Sequence, residues 1–111
     1  MTGHRNPARG NIAEVQPLLE KVIRAVCDHI DEKRLRMYLF GSWARGRALP
    51  ISDLDIALDT GKPIEPAIFM KIADALDELP TLRRVDVLDL QSVDQEFRSR
   101  VLQEGVLVYG K

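Results

Sequence analysis

The sequence predicts an α+β domain, a small mixed β-sheet covered mainly on one face by helices. Three observations predict it. Apolar residues recur at three- and four-residue spacing through three segments. Shorter segments between them alternate or run apolar, and glycine or proline closes several of both kinds. The resulting order is helix, strand, loop, strand, helix, strand, helix, strand.

Each element has its own warrant. In residues 11–33, Val15, Leu18, Leu19, Val22, Ile23, Val26 and Ile30 form a helical stripe, with Glu20, Lys21, Arg24 and Asp28 on the other face. Pro17 suits a first helical turn, which sets the start of the regular helix near Gln16. Residues 35–40 read as a strand that stops at Gly41, and residues 42–52 as a loop with a helical turn near Ala44. Residues 53–59 alternate strictly and read as a second strand, broken by Thr60-Gly61-Lys62-Pro63. Residues 65–78 are a helix burying Ile68, Phe69, Ile72, Ala73, Leu76 and Leu79, ended by Pro80. Residues 84–90 are a third strand. Residues 93–104 are a third helix, with Ser92 as its cap and Gly105 as its stop; Phe97, Val101 and Leu102 either cover the sheet or dock a partner, with packing preferred. Val106 to Tyr109 add a short last strand.

The chain has 111 residues, enough for one core, and divides into a flexible lead-in (1–10) and a single domain (11–111). At 45% apolar and 30% charged residues it is globular rather than disordered, and with 5% aromatics its core rests on Leu, Ile, Val and Ala. The net charge of -1 argues against general nucleic-acid binding, which needs a surplus of Lys and Arg, while leaving room for a local basic pocket. Cys27 stands alone, so no internal disulfide forms; it reads as a small apolar helix residue. No apolar run approaches the roughly 18 residues that span a bilayer. Residues 1–10 hold no apolar stretch of the signal-peptide kind. A reducing cytoplasm without membrane association is the expectation.

The chemistry centres on aspartates. Asp53 and Asp55 lie two apart on a strand, so they share a face, while Leu54, Ile56 and Leu58 point into the core. Carboxylates so close repel unless a cation sits between them, and Mg²⁺ is the commonest hard divalent ion. Asp86 interrupts an apolar strand and is far less costly facing the same metal than buried alone. Asp89 points to the opposite face and is expected to face solvent near the strand end. Gly41-Ser42 follows a strand directly: glycine permits a sharp turn and close backbone approach, and Ser42 offers a hydroxyl and an N–H to phosphate oxygens. Arg45 and Arg47 stand nearby as candidate triphosphate partners. Singly, each feature has an ordinary reading: a solvated strand edge, a plain turn, a salt bridge from Asp86 to Arg83 or Arg84, surface arginines. The joint spacing is what points to a site.

That spacing, Gly41-Ser42-Trp43-Ala44-Arg45-Gly46, then Ser52-Asp53-Leu54-Asp55-Ile56, then Val85-Asp86-Val87-Leu88-Asp89, resembles the minimal nucleotidyltransferase (MNT) branch of the DNA polymerase beta-like nucleotidyltransferase superfamily. The resemblance runs from about Leu35 to Leu90 and implies the polymerase beta-like fold. It implies that Asp53 and Asp55 hold two Mg²⁺ ions, that Asp86 joins the catalytic one and prepares the attacking oxygen, and that Gly41, Ser42 and Arg45 bind the nucleotide. Two metals about 3.5–4 Å apart would activate the nucleophile and stabilise the leaving oxygen. Position 43 is often Arg or Tyr-like in the family; Trp43 here either covers the nucleotide or packs, and packing is favoured because Trp buries a large area. His4 and His29 are not required and read as surface residues.

The branch further implies AMP transfer from ATP to a tyrosine of a HEPN-domain toxin, with this chain as antitoxin and the acceptor supplied by the partner. Two alternatives stand beside it: nucleotide transfer to a small molecule or RNA, and a catalytically silent module that neutralises a toxin by contact.

Overall fold

The computed structural model describes residues 12–30, 33–46, 48 and 52–111. They form α1 (Ile12–Cys27), β1 (Arg36–Phe40), β2 (Leu54–Asp59), α2 (Pro66–Asp77), β3 (Val85–Asp89), α3 (Gln95–Glu104) and β4 (Val106–Tyr109), the order the sequence predicts. The predicted lead-in, His4 and Arg47 lie outside the described residues.

The four strands make one sheet in the order β3-β2-β1-β4. β1 runs antiparallel to both β2 and β4, whereas β2 and β3 are parallel. A parallel pair needs a crossover, and α2 supplies it. The sheet is therefore mixed, as expected.

Strand parity divides the core in two. Leu54, Ile56 and Leu58 of β2 are fully buried against Val15, Leu19, Val22 and Val26 of α1 and Ile72 and Leu76 of α2. On the opposite face Ala57, Leu90 and Val101 form a smaller cluster, flanked by Tyr38, Phe40 and Leu88. Two helices thus cover one face, and α3 covers part of the other. In α3 only Val101 is core; Phe97 and Leu102 remain partly exposed.

Three local expectations need correction. α1 includes Ile12, so Pro17 lies inside the helix instead of at its start. An interior proline costs roughly 3 kcal/mol through its missing N–H and its ring. Each buried Val or Leu along α1 returns roughly 1.5–3 kcal/mol, so tertiary burial outweighs the local rule. α1 also stops at Cys27: the N–H groups of His29 and Ile30 both donate to Val26 O in a closing turn. Finally, α3 is capped by Asp94, whose side chain accepts the Phe97 N–H at 2.8 Å. Ser92 is not the cap. Its hydroxyl donates to Asp89 Oδ2 at 2.9 Å.

Candidate active site

β1 ends at Gly41, and the chain turns there with φ +77, a left-handed conformation that favours glycine. The turn places Gly41 against the side chain of Asp55, where a Cβ on residue 41 would overlap Asp55 Oδ2. Residues 41–46 form a single helical turn: the Arg45 N–H donates to Gly41 O at 3.2 Å and the Gly46 N–H to Trp43 O at 3.3 Å. Ser42 is half-buried near the start of this turn.

The sheet register assembles the carboxylates. β1 and β2 pair Phe40 with Asp55, and β2 and β3 pair Asp55 with Asp86, so the two aspartates are lateral neighbours on adjacent parallel strands. Asp53 is exposed and lies one residue before β2 instead of within it. The crowding has an electrostatic signature. Burial raises the Asp55 carboxyl above its ordinary value, the charges of Asp86 and Asp53 raise it further, and Arg84 partly offsets them.

Asp86 is half-exposed and accepts from Arg84 Nε at 2.9 Å; its ion-pair partner is Arg84, not Arg83. Among the described residues, no three His, Cys, Asp or Glu side chains converge tightly enough to hold a metal as they stand. The donor set nevertheless suits a hard cation: three carboxylates, two in lateral register and mutually repelling, with one tied only to an exposed arginine.

Asp89 departs from its expected role. It does lie on the face opposite Asp86, but that face is covered there. Asp89 is buried and accepts the Ile64 N–H at 2.8 Å, the Gln91 N–H at 3.0 Å and the Ser92 hydroxyl at 2.9 Å.

Trp43 packs, as favoured. It is 1% exposed, and its indole N–H donates to Ser52 O at 3.2 Å. Arg83 donates to the same carbonyl from Nη1 at 3.0 Å, and its guanidinium carbon lies 5.0 Å from the Trp43 ring centroid. The loop after β1 and the segment before β3 thereby grip the residue preceding Asp53. A backbone acceptor carries no signature in sequence, so this grip was not foreseeable from residue types. Arg45 pairs with Glu104 of α3 at 3.3 Å. A cleft of about 710 Å³ lies at the far end of β1, bordered by Lys33, Arg36 and Asp59, away from Asp53, Asp55 and Asp86.

Gly41 thus lies against one of two register-paired strand aspartates. Residues 21–111 match the model of the family described as Polymerase beta, Nucleotidyltransferase, and the chain belongs to that family. It is 29% identical over 75 residues to a probable protein adenylyltransferase of Haemophilus influenzae, covering 68% of this chain and 66% of that protein. It is 31% identical over 94 residues to a protein adenylyltransferase of Shewanella oneidensis, covering 81% of this chain and 63% of that one. The chain thus spans just under two thirds of the length of these relatives. Its fold matches a chain in a solved complex of tri-AMPylated Shewanella oneidensis HEPN toxin with MNT antitoxin, with a TM-score of 0.66, 26% identity, and coverage of 86% of this chain and 72% of that one.

Proposed function

We propose that this chain is a protein adenylyltransferase that transfers AMP from ATP to a tyrosine of a partner HEPN-domain toxin, and so acts as its antitoxin. The observation that carries the reading is the lateral pairing of Asp55 with Asp86 beside Gly41. The names of the two relatives and of the solved toxin–antitoxin complex support the acceptor.

Asp53, Asp55 and Asp86 would hold Mg²⁺. When bound, the metal supplies positive charge to the reacting phosphate and lowers the barrier for an oxygen nucleophile. The acceptor hydroxyl attacks the α-phosphorus, a new P–O bond forms, and the bond to pyrophosphate breaks. Asp86, half-exposed and in register with Asp55, is suited to orient the hydroxyl and accept its proton. Gly41 lets the backbone approach the nucleotide, and Ser42 offers its hydroxyl and N–H to the phosphates. No covalent protein intermediate is required. Among the described residues, no helix is long and apolar enough to cross a membrane, which fits a cytoplasmic partner.

The test is direct. The purified chain is incubated with labelled ATP, Mg²⁺ and the protein encoded by its genomic neighbour. Label on a tyrosine of the partner is expected. An unlabelled partner sinks the reading, and neutralisation that survives Asp55→Asn while transfer is lost identifies contact as the mode of silencing.

A further inference from the structure

Residues of the 41–46 loop and of α3 face each other across a small cavity. Residues 97, 100, 101 and 104 recur at helical spacing and so line one side of α3. Phe97 meets Phe40 edge-on with ring centroids 6.1 Å apart, and Glu104 reaches Arg45 at 3.3 Å. Arg100 falls between these two contacts. With Gly41, Arg45, Phe97 and Glu104 it borders a cavity of about 110 Å³ between the loop and the helix.

The face is the right one. Asp55 and Asp86 share strand parity with Ala57 and Leu88, and those two residues pack in the cluster under α3. A polyphosphate that engages the aspartates at one end and the 41–46 loop along its length therefore passes α3. Arg45 already has its charge matched by Glu104. Arg100 is exposed and, among the described residues, has no ion-pair or hydrogen-bond partner.

We propose that Arg100 binds the β- and γ-phosphates of the nucleotide, the part that departs as pyrophosphate. The α-phosphate must lie at the carboxylates, so the outer phosphates extend toward the cavity that Gly41 shares with Arg100. A guanidinium presents two parallel donors that match the oxygens of a phosphate group. This assignment rests on the transfer reading above and adds a residue from α3 to it.

The experiment is calorimetric titration of the full chain and of Arg100→Gln with a non-hydrolysable ATP analogue in Mg²⁺, and with AMP by competition against that analogue. The variant is expected to lose about tenfold or more in affinity for the analogue, as for a charge-assisted hydrogen bond, with AMP binding unchanged. Arg100→Lys is expected to retain part of the affinity, and the melting temperature without nucleotide to stay within about 2 °C of the native chain, as for an exposed surface site. Unchanged analogue affinity overturns the assignment, and so does an equal loss for analogue and AMP. A native chain that binds neither nucleotide overturns the transfer reading itself, and this assignment with it.

Discussion

Gly41 lies directly against the Asp55 carboxylate, with no room for a Cβ between them. The contact joins the residue immediately after β1 to β2. It follows from two facts: β1 and β2 are antiparallel neighbours in register, and Gly41 holds φ +77.

Gly41→Ala is therefore expected to act twice. A non-glycine residue at that φ costs roughly 1–2 kcal/mol, and the added methyl must displace the Asp55 side chain or the turn. The expected total is about 2–3 kcal/mol, which lowers the melting temperature by roughly 8–20 °C for a domain of this size. Loss of nucleotide transfer should exceed what the unfolded fraction accounts for. Thermal melts beside transfer assays at a temperature where both proteins are folded check this. A variant as stable and active as the native chain would show that the contact is dispensable.

Asp55 carries a raised carboxyl pKa, caused first by burial and then by Asp86 and Asp53. The sign follows from proton linkage. The folded state holds this proton more tightly than the unfolded chain, so ionised Asp55 destabilises the fold, fully so above its folded pKa. That cost disappears as pH falls through the raised value toward the ordinary one. Asp55→Asn without metal is thus expected to be at least as stable as the native chain at neutral pH, with the difference shrinking in acid. Mg²⁺ should reverse the order, because binding stabilises only the chain that retains the carboxylate. Denaturant titrations at several pH values, with and without Mg²⁺, measure both effects. An Asn variant that is less stable at neutral pH without metal contradicts the account.

How much of this was readable in advance depends on the range of the interaction. The alternation of Leu54, Ile56 and Leu58 with Asp55 is local, and it gave both the strand and the face of the carboxylate. The separation of Asp86 from Asp89 followed from the same parity. The pairing of Asp55 with Asp86 depends on the β2–β3 register, which neither strand carries alone. Pro17 misled because a local preference for the first helical turn was outweighed by the burial of Val15 and Leu19 on either side of it. Asp89 misled because the group that covers it, the Ile64 N–H, comes from a loop 25 residues earlier.

Trp43 and Arg83 both donate to Ser52 O, one residue before Asp53. Trp43→Phe keeps most of the packing and removes one donor, so its expected cost is about 1–2 kcal/mol. Arg83→Gln removes the other donor and the contact over the ring, at about 1 kcal/mol or slightly more. Each single variant leaves one of these two donors in place, and the double variant removes both. The double should therefore cost more than the sum of the singles, by about 0.5 kcal/mol or more. Chemical denaturation of all four proteins measures the coupling. Strict additivity would mean that the two donors act independently.

Asp89 and Asp86, three positions apart on the same strand, are expected to divide between stability and chemistry. Asp89 is buried and accepts three hydrogen bonds, two of them from backbone N–H groups. Asp89→Ala strands those donors, at roughly 1–3 kcal/mol each where water does not replace the bond, so an overall loss of about 2–4 kcal/mol is expected. Asp86 is half-exposed and paired with an exposed arginine, an arrangement worth at most about 1 kcal/mol. Asp86→Asn should leave the melting temperature nearly unchanged. Transfer should respond in the opposite sense: Asp86→Asn lowers it by about two orders of magnitude or more, as for loss of a proton-accepting carboxylate, while folded Asp89→Ala protein stays within a few-fold of the native rate. Melting curves and initial rates on the same six samples, the native chain and the two variants with and without Mg²⁺, decide it. A large stability loss at Asp86 with full activity, or an inactive but stable Asp89 variant, would exchange the two roles.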